Sequence, residues 1–191
     1  MKRKFKVLLA CVSVLAVGLV ITAILVLPIS ADIRADYAID INNPRQFAGW
    51  ADYVFVGKVE KNNGLIDQGE GSRELFTEYQ VQVLENLKGT LLMDGPISVV
   101  KCGGVYGGIY REVMEDDVLP DTGKTYVFLA TASTDGTLLV YGANSNIALD
   151  DKQENIADSA VVRNYRDAVK NQIDTRPTKR SVANADARAV K

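Results

Sequence analysis

The chemistry-bearing residues of this chain are few, and their types narrow what it can do. There is no histidine among its 191 residues, which removes the commonest general base and the commonest zinc ligand. Ser-His-Asp, Cys-His and histidine-metal mechanisms go with it. Cys102, beside Gly103, has no imidazole to take its proton and reads as a small buried residue at a strand end. Cys11 lies in an apolar segment, so a bridge to Cys102 is implausible and the core, not a disulfide framework, must hold the fold. Glu115, Asp116 and Asp117 with Asp121 offer oxygens to a hard cation such as calcium. They lack EF-hand spacing, and a solvated acidic loop over 115–121 is the simpler reading. No two carboxylates pair as a glycosidase needs. The expectation is a non-enzyme with no catalytic residue, no cofactor and no metal ligand.

Three short motifs carry a functional and a structural reading each. Leu119-Pro120-Asp121-Thr122-Gly123 spells the sortase-sorting pentapeptide. Sorting needs it near the C-terminus, ahead of an apolar stretch, whereas strand-forming residues follow it here, so a Pro-Asp turn is expected. Gly123-Lys124-Thr125 copies the end of a P-loop, but Val118 stands where the first glycine belongs. The run Gly103-Gly104-Val105-Tyr106-Gly107-Gly108-Ile109-Tyr110-Arg111 combines adaptable backbone with aromatic area, as paratopes do. Either the glycines turn the chain at a barrel mouth, or Tyr106, Tyr110 and Arg111 form a partner-contact surface.

The termini and the middle differ in charge. Lys2, Arg3, Lys4 and Lys6 contribute four positive charges, and the segment from Asp174 onward a net three more, which leaves a middle nine negative from a total of −2. A middle that acidic repels nucleic acid, so no nucleic-acid partner is expected. Val7 to Pro28 is uncharged for 22 residues, enough to cross roughly 30 Å of hydrocarbon. The basic flank should stay in the cytoplasm. This predicts a single-pass signal anchor over residues 1–30 with everything after it extracytoplasmic. Cleavage after Ala31, with Ile29 at the minus-three position, would secrete the domain instead. Leu8-Leu9-Ala10-Cys11 looks like a lipoprotein box, yet the apolar run continues past the cysteine.

The elements that must position these residues follow in order. A polar linker, 31–43, leads to Asn43-Pro44, an N-cap and first-turn pair. Phe47 and Trp50 would share one side of a short helix. Tyr53 to Val59 is β-branched and aromatic and reads as a strand, with Gly57 marking a bulge. Asn62-Asn63-Gly64 is a turn signal, and Asp67 to Arg73 a polar loop. From Thr77 to Gly89 apolar Tyr79, Val81 and Val83 alternate with polar Glu78, Gln80 and Gln82. That period of two gives a half-buried strand. Ile97 to Lys101 is the third strand. A long connection follows, in which Tyr110 to Leu119 forms a helix or an irregular lid. Thr125 to Ala130 and Leu138 to Tyr141 are joined through Asp135-Gly136. Asp151 with Glu154 makes a capping box, opening an amphipathic helix from about Lys152 to Ile173. Its apolar face is Ala157, Val161, Tyr165, Ala168 and Val169. Residues 174–191 read as a disordered basic tail.

Five strands with the long connection between third and fourth match an OB-type barrel; a small open β-sandwich is the other arrangement. The pieces Ala51-Asp52 through Val59, Tyr79 to Val83, Leu87-Lys88-Gly89, Ile97 to Val100, Gly103-Gly104 and Gly123 to Leu129 resemble a set of uncharacterised bacterial surface proteins, across about residues 45–145. That set is in turn similar to netrin-like modules, the OB barrels of tissue metalloproteinase inhibitors. The resemblance implies a mainly β, five-stranded OB-like barrel over 44–150 and a bacterial cell-surface location, to which the sequence pattern adds a C-terminal helix over 151–173. It does not bring the inhibitory N-terminal cysteine or the stapling disulfides, which this chain lacks. The expected role is a membrane-anchored binding module with a protein or cell-envelope partner. Inhibition of an extracellular protease is the alternative.

Overall fold

A 13-residue strand that is hydrogen-bonded along both of its edges holds the fold together. The computed structural model describes residues 29–34, 36–66, 74–108, 110–133, 135–150 and 156–175. The Val7–Pro28 span, Cys11, the 67–73 loop, the Asp151–Glu154 capping box and the tail from Arg176 lie outside the described residues. Among those described, no helix is long and apolar enough to cross a membrane.

In chain order the elements are β1 (Ile29–Ile33), α1 (Pro44–Trp50), β2 (Tyr53–Leu65), β3 (Phe76–Lys88), β4 (Pro96–Cys102), β5 (Gly104–Tyr106) and β6 (Tyr110–Met114). Then come β7 (Thr125–Ala132), β8 (Leu138–Val140), β9 (Asn146–Ala148), a 3-10 turn at Ile156–Asp158 and α2 (Ala160–Lys170). Neighbours run β2-β3-β4-β8-β7, and β7 pairs back onto β2, so five strands close into a barrel. The β4–β8 pairing is parallel; the other four are antiparallel. A separate three-stranded sheet, β1-β6-β5, stands beside it.

Alternation decides which side chains fill the barrel. Tyr53, Phe55 and Val59 of β2 face inward with Tyr79, Val81 and Val83 of β3, and with Ile97 and Val99 of β4. Leu91, Tyr126, Phe128, Ala130, Ala132, Leu138 and Val140 complete this cluster. Phe55 and Phe128 are direct cross-strand partners, their rings stacked with centroids 5.3 Å apart. Gly57 occupies the inward position between Phe55 and Val59, where a Cβ would lie 2.5 Å from Val81 Cγ1 and 3.1 Å from the Phe55 ring. A side chain here would push Val81 or Phe55 aside, and the β2–β3 register slips at this point, the bulge expected from the sequence.

The opposite faces of β2 and β7 are also buried. Val54, Val56, Val127 and Leu129 pack against Phe47, Ala48 and Ala51 of the α1 region and against Val162, Tyr165 and Ala168 of α2. Burial on both faces is why these strands read as continuous apolar runs rather than alternating ones. The Asn43 carbonyl Oδ1 accepts from the Arg45 and Gln46 amides, with Pro44 at the first position, as the sequence predicts. Arg166 of α2 pairs with Glu85 of β3 at 2.7 Å.

Four expectations are corrected, and one strand is added. The 31–43 linker is not all linker, because Ala31 to Ile33 belong to β1, paired in parallel with β6. Asn62-Asn63-Gly64 is not a hairpin turn; β2 runs through it to Leu65. The Gly64 amide donates to Asn62 Oδ1 and Gly64 takes φ +91°, so the same residues make a bulge within the strand. Tyr110 to Met114 is a strand, neither helix nor lid, because β1 and β5 supply partners on both sides. The C-terminal helix starts at Ala160, not near Lys152, since Ser159 Oγ accepts from the Val162 amide and caps it there; Ala157 is exposed. Finally, β9 has no counterpart in the sequence reading.

Candidate functional site

The hairpin of β5 and β6 carries the residues singled out for partner contact. Tyr106 and Tyr110 are direct cross-strand partners, and Arg111 is opposite Val105. Adjacent residues on a strand point to opposite faces, so the two tyrosines share one face of the ribbon and Arg111 lies on the other. Tyr106 is 66% exposed and Val105 45%, while Tyr110 and Arg111 are half-buried. The hairpin is tied down at its base. The Gly103 amide donates to the Leu75 carbonyl, and Thr77 Oγ1 donates to the Gly103 carbonyl at 2.8 Å. Buried Glu112 accepts from the Leu75 amide at 2.7 Å and from Tyr110 Oη at 3.1 Å. That last bond pushes the Tyr110 phenol up from its ordinary value. The ribbon is thus a firm support for exposed apolar and aromatic area.

A second cluster was missed by the sequence reading. Lys101 takes the inward position after Ile97 and Val99 and is fully buried at the end of the barrel. Its Nζ donates to the Gly142 carbonyl at 3.0 Å and to Ser145 Oγ at 2.8 Å, and forms an ion pair with Asp117 Oδ2 at 2.6 Å. Asp117 Oδ1 accepts from the Val118 amide. Burial pulls the Lys101 ammonium below its ordinary value, against the opposing pull of Asp117. The parity of Ile97, Val99 and Lys101 was the available signal. A lysine two residues past two core positions must either break the strand or be buried with a partner. The acidic segment therefore divides: Asp117 turns inward to the lysine, while Glu115, Asp116 and Asp121 stay on the surface. Among the described residues no group of acidic or cysteine side chains is arranged to hold a metal ion.

Cys102, next to this pair, is buried with its thiol pushed up to about 12, chiefly by burial and then by Glu74. A thiol held that strongly protonated is a poor nucleophile. Leu119 to Gly123 is a turn into β7, as expected. Pro120 is buried, the Asp121 amide donates to Tyr126 Oη at 2.8 Å, and Asp121 pairs with Lys124.

A cleft of about 230 Å³ opens beside the barrel, where the segment Asp36 to Ile41 and α1 meet β7 and β8. Tyr37, Phe47, Trp50 and Tyr141 line it with Leu129, and Asp36 is its one charged lining residue. Two of the rings are pinned through their hydroxyls. Tyr37 Oη accepts from the Ala143 amide at 2.9 Å, and Tyr141 Oη donates to Glu74 at 3.4 Å. The cleft owes its wall to contacts between residues about a hundred positions apart, which no local pattern reveals.

No protein-family model matches the chain, and no curated protein matches it at a significant level.

Proposed function

We propose that this chain is a membrane-anchored, non-catalytic binding module of a bacterial cell surface, and that it meets a protein or cell-envelope partner through the β5–β6 hairpin. The carrying observation is the exposed Tyr106, opposite Tyr110 on a ribbon braced by Glu112 and Thr77. Aromatic side chains give large contact area for little lost conformational freedom, and an exposed apolar tip on a braced hairpin suits that use. The anchor reading rests on the uncharged Val7–Pro28 segment behind four basic residues, which would keep the N-terminus cytoplasmic and the barrel outside. The non-catalytic reading is supported by the lack of histidine and by the state of two groups that could react: Cys102 is buried and strongly protonated, and Lys101 is buried in an ion pair with Asp117.

The strand order of the barrel supports the OB-like reading. Counting its strands in chain order, the sequence around the barrel is first, second, third, fifth, fourth, with the third and fifth parallel. Protease inhibition, the alternative role, rests on this likeness of fold alone.

The test uses Val105→Cys, at the exposed neighbour of Tyr106, in the intact chain, so that both tyrosines remain. Cells are treated with a membrane-impermeant maleimide carrying a photocrosslinker. The expected result is a labelled chain and one discrete crosslinked species, lost when Tyr110→Ala is added. A chain that stays unlabelled on intact cells refutes the extracytoplasmic placement. Labelling with no Tyr110-dependent species refutes the contact surface.

A further inference from the structure

Independently of the hairpin, the cleft beside α1 has the composition of a cation site. Of the twelve residues that line about 230 Å³, four are aromatic, Tyr37, Phe47, Trp50 and Tyr141, and the one charged residue is an acid, Asp36. Asp36 is exposed and, among the described residues, makes no ion pair. Aromatic faces attract cations through the ring quadrupole, most strongly where water is partly excluded, and quaternary ammonium groups are the ligands such cages take. A compact, weakly hydrated cation gives up less solvation on entering than a primary ammonium would. The walls are set before any ligand arrives. Tyr37 is fixed to the Ala143 amide, Tyr141 to Glu74, and Asn144 Nδ2 holds the segment through Asn42 Oδ1 at 3.1 Å. Such preorganisation spares a ligand the loss of freedom that ordering those rings would otherwise entail.

We infer that the cleft between the Asp36–Ile41 segment and the barrel binds a small quaternary or methylated ammonium group, held by Tyr37, Trp50 and Tyr141 with Asp36 as counter-charge. The group can reach the site as a free small molecule or as the headgroup of a choline lipid.

Trp50 is the chain's single tryptophan and lines the cleft, so its emission reports occupancy without background. The full chain is titrated with choline, with tetramethylammonium and with 3,3-dimethylbutan-1-ol, the neutral carbon isostere of choline. Saturable shifts are expected with both cations, and binding at least roughly tenfold weaker with the isostere. Asp36→Asn, at an exposed site, should weaken choline severalfold, and Tyr141→Leu should weaken it further, with melting curves confirming that both variants fold. Parallel titrations with phosphatidylcholine and phosphatidylglycerol vesicles at matched headgroup concentration separate the sources. A choline-specific vesicle response identifies the lipid headgroup, and a response to free choline alone identifies a soluble ligand. Equal binding of the isostere, an unchanged response in the Asp36→Asn, Tyr141→Leu double variant, or no saturable shift with either cation overturns the assignment.

Discussion

Replacing Asp117 by Asn should be the most damaging single polar substitution in the barrel. It leaves the Lys101 ammonium buried with its two neutral acceptors and no counter-charge. At 2.6 Å and an effective dielectric constant near 20, the lost attraction is about 6 kcal/mol. Desolvation of the pair offsets part of this, and removing one partner of a buried pair typically costs about 3–5 kcal/mol. For a domain of this size that is a drop of roughly 10–20 °C in melting temperature. Lys101→Met alone should be comparably harmful, because it strands the Asp117 carboxylate. The double variant Lys101→Met, Asp117→Leu removes both charges and should recover most of the loss, since well-packed apolar replacements of buried pairs are often neutral or better. With Asp117→Leu as the matching single variant, urea unfolding followed by Trp50 emission and by circular dichroism at pH 7 completes the double-mutant cycle. If Asp117→Asn changes stability by under about 1 kcal/mol, or if the double variant loses the sum of the two singles, the pair is not coupled as its geometry requires.

Two further outcomes follow from burial. In a Cys11→Ser background, Cys102 should react with a thiol reagent only as fast as the protein unfolds, since its thiol is buried and raised to about 12. The same shift makes stability pH-dependent. The folded thiol keeps its proton above the ordinary value of 9.0, where the unfolded chain releases it, so its contribution is complete below pH 9 and is lost towards pH 12. Tyr79 and Tyr141, raised from 10.0 to about 12 by burial, add to the loss above pH 10. Lys101 opposes it up to its unfolded value of 10.5, because the unfolded chain holds that proton longer. Urea midpoints should therefore fall steeply above pH 10.5, and less so in Cys102→Ala; coincident profiles would show that the thiol is not responsible. In the core, Gly57→Ala should destabilise the barrel by about 1–3 kcal/mol through overpacking against Val81 and Phe55, measured by the same unfolding assay. A neutral result would mean that the bulge can open.

How much was legible tracks how local each cause is. Strands β3 and β4 announce themselves because alternation is written into neighbouring residues, and α1 because Asn43 and Pro44 are a self-contained signal. The short strands β1, β6 and β9 owe their pairing to partners outside their own neighbourhood, as when Ile29–Ile33 meets Tyr110–Met114. Asn62-Asn63-Gly64 has turn chemistry that the structure uses for a bulge instead. The hairpin tyrosines were visible from composition, but the split that puts Arg111 on the other face needed the register. Lys101 was readable from parity. Asp117, its partner, was not, because nothing in an acidic run marks which member turns inward. The cleft was unreadable, since the Asp36–Ile41 segment is held by residues such as Ala143 and Asn144.

Strand β2 bonds on one side to β3 and on the other to β7, whose residues arrive about seventy positions later in the chain. A nascent polypeptide ending before Thr125 therefore exposes a three-stranded sheet with two bare margins, each a template for pairing with another molecule. Such distant pairing slows folding into the millisecond-to-second range. During that interval the incomplete sheet is the species most at risk of clumping, and a holdase that masks the outer margin of β2 would protect it best.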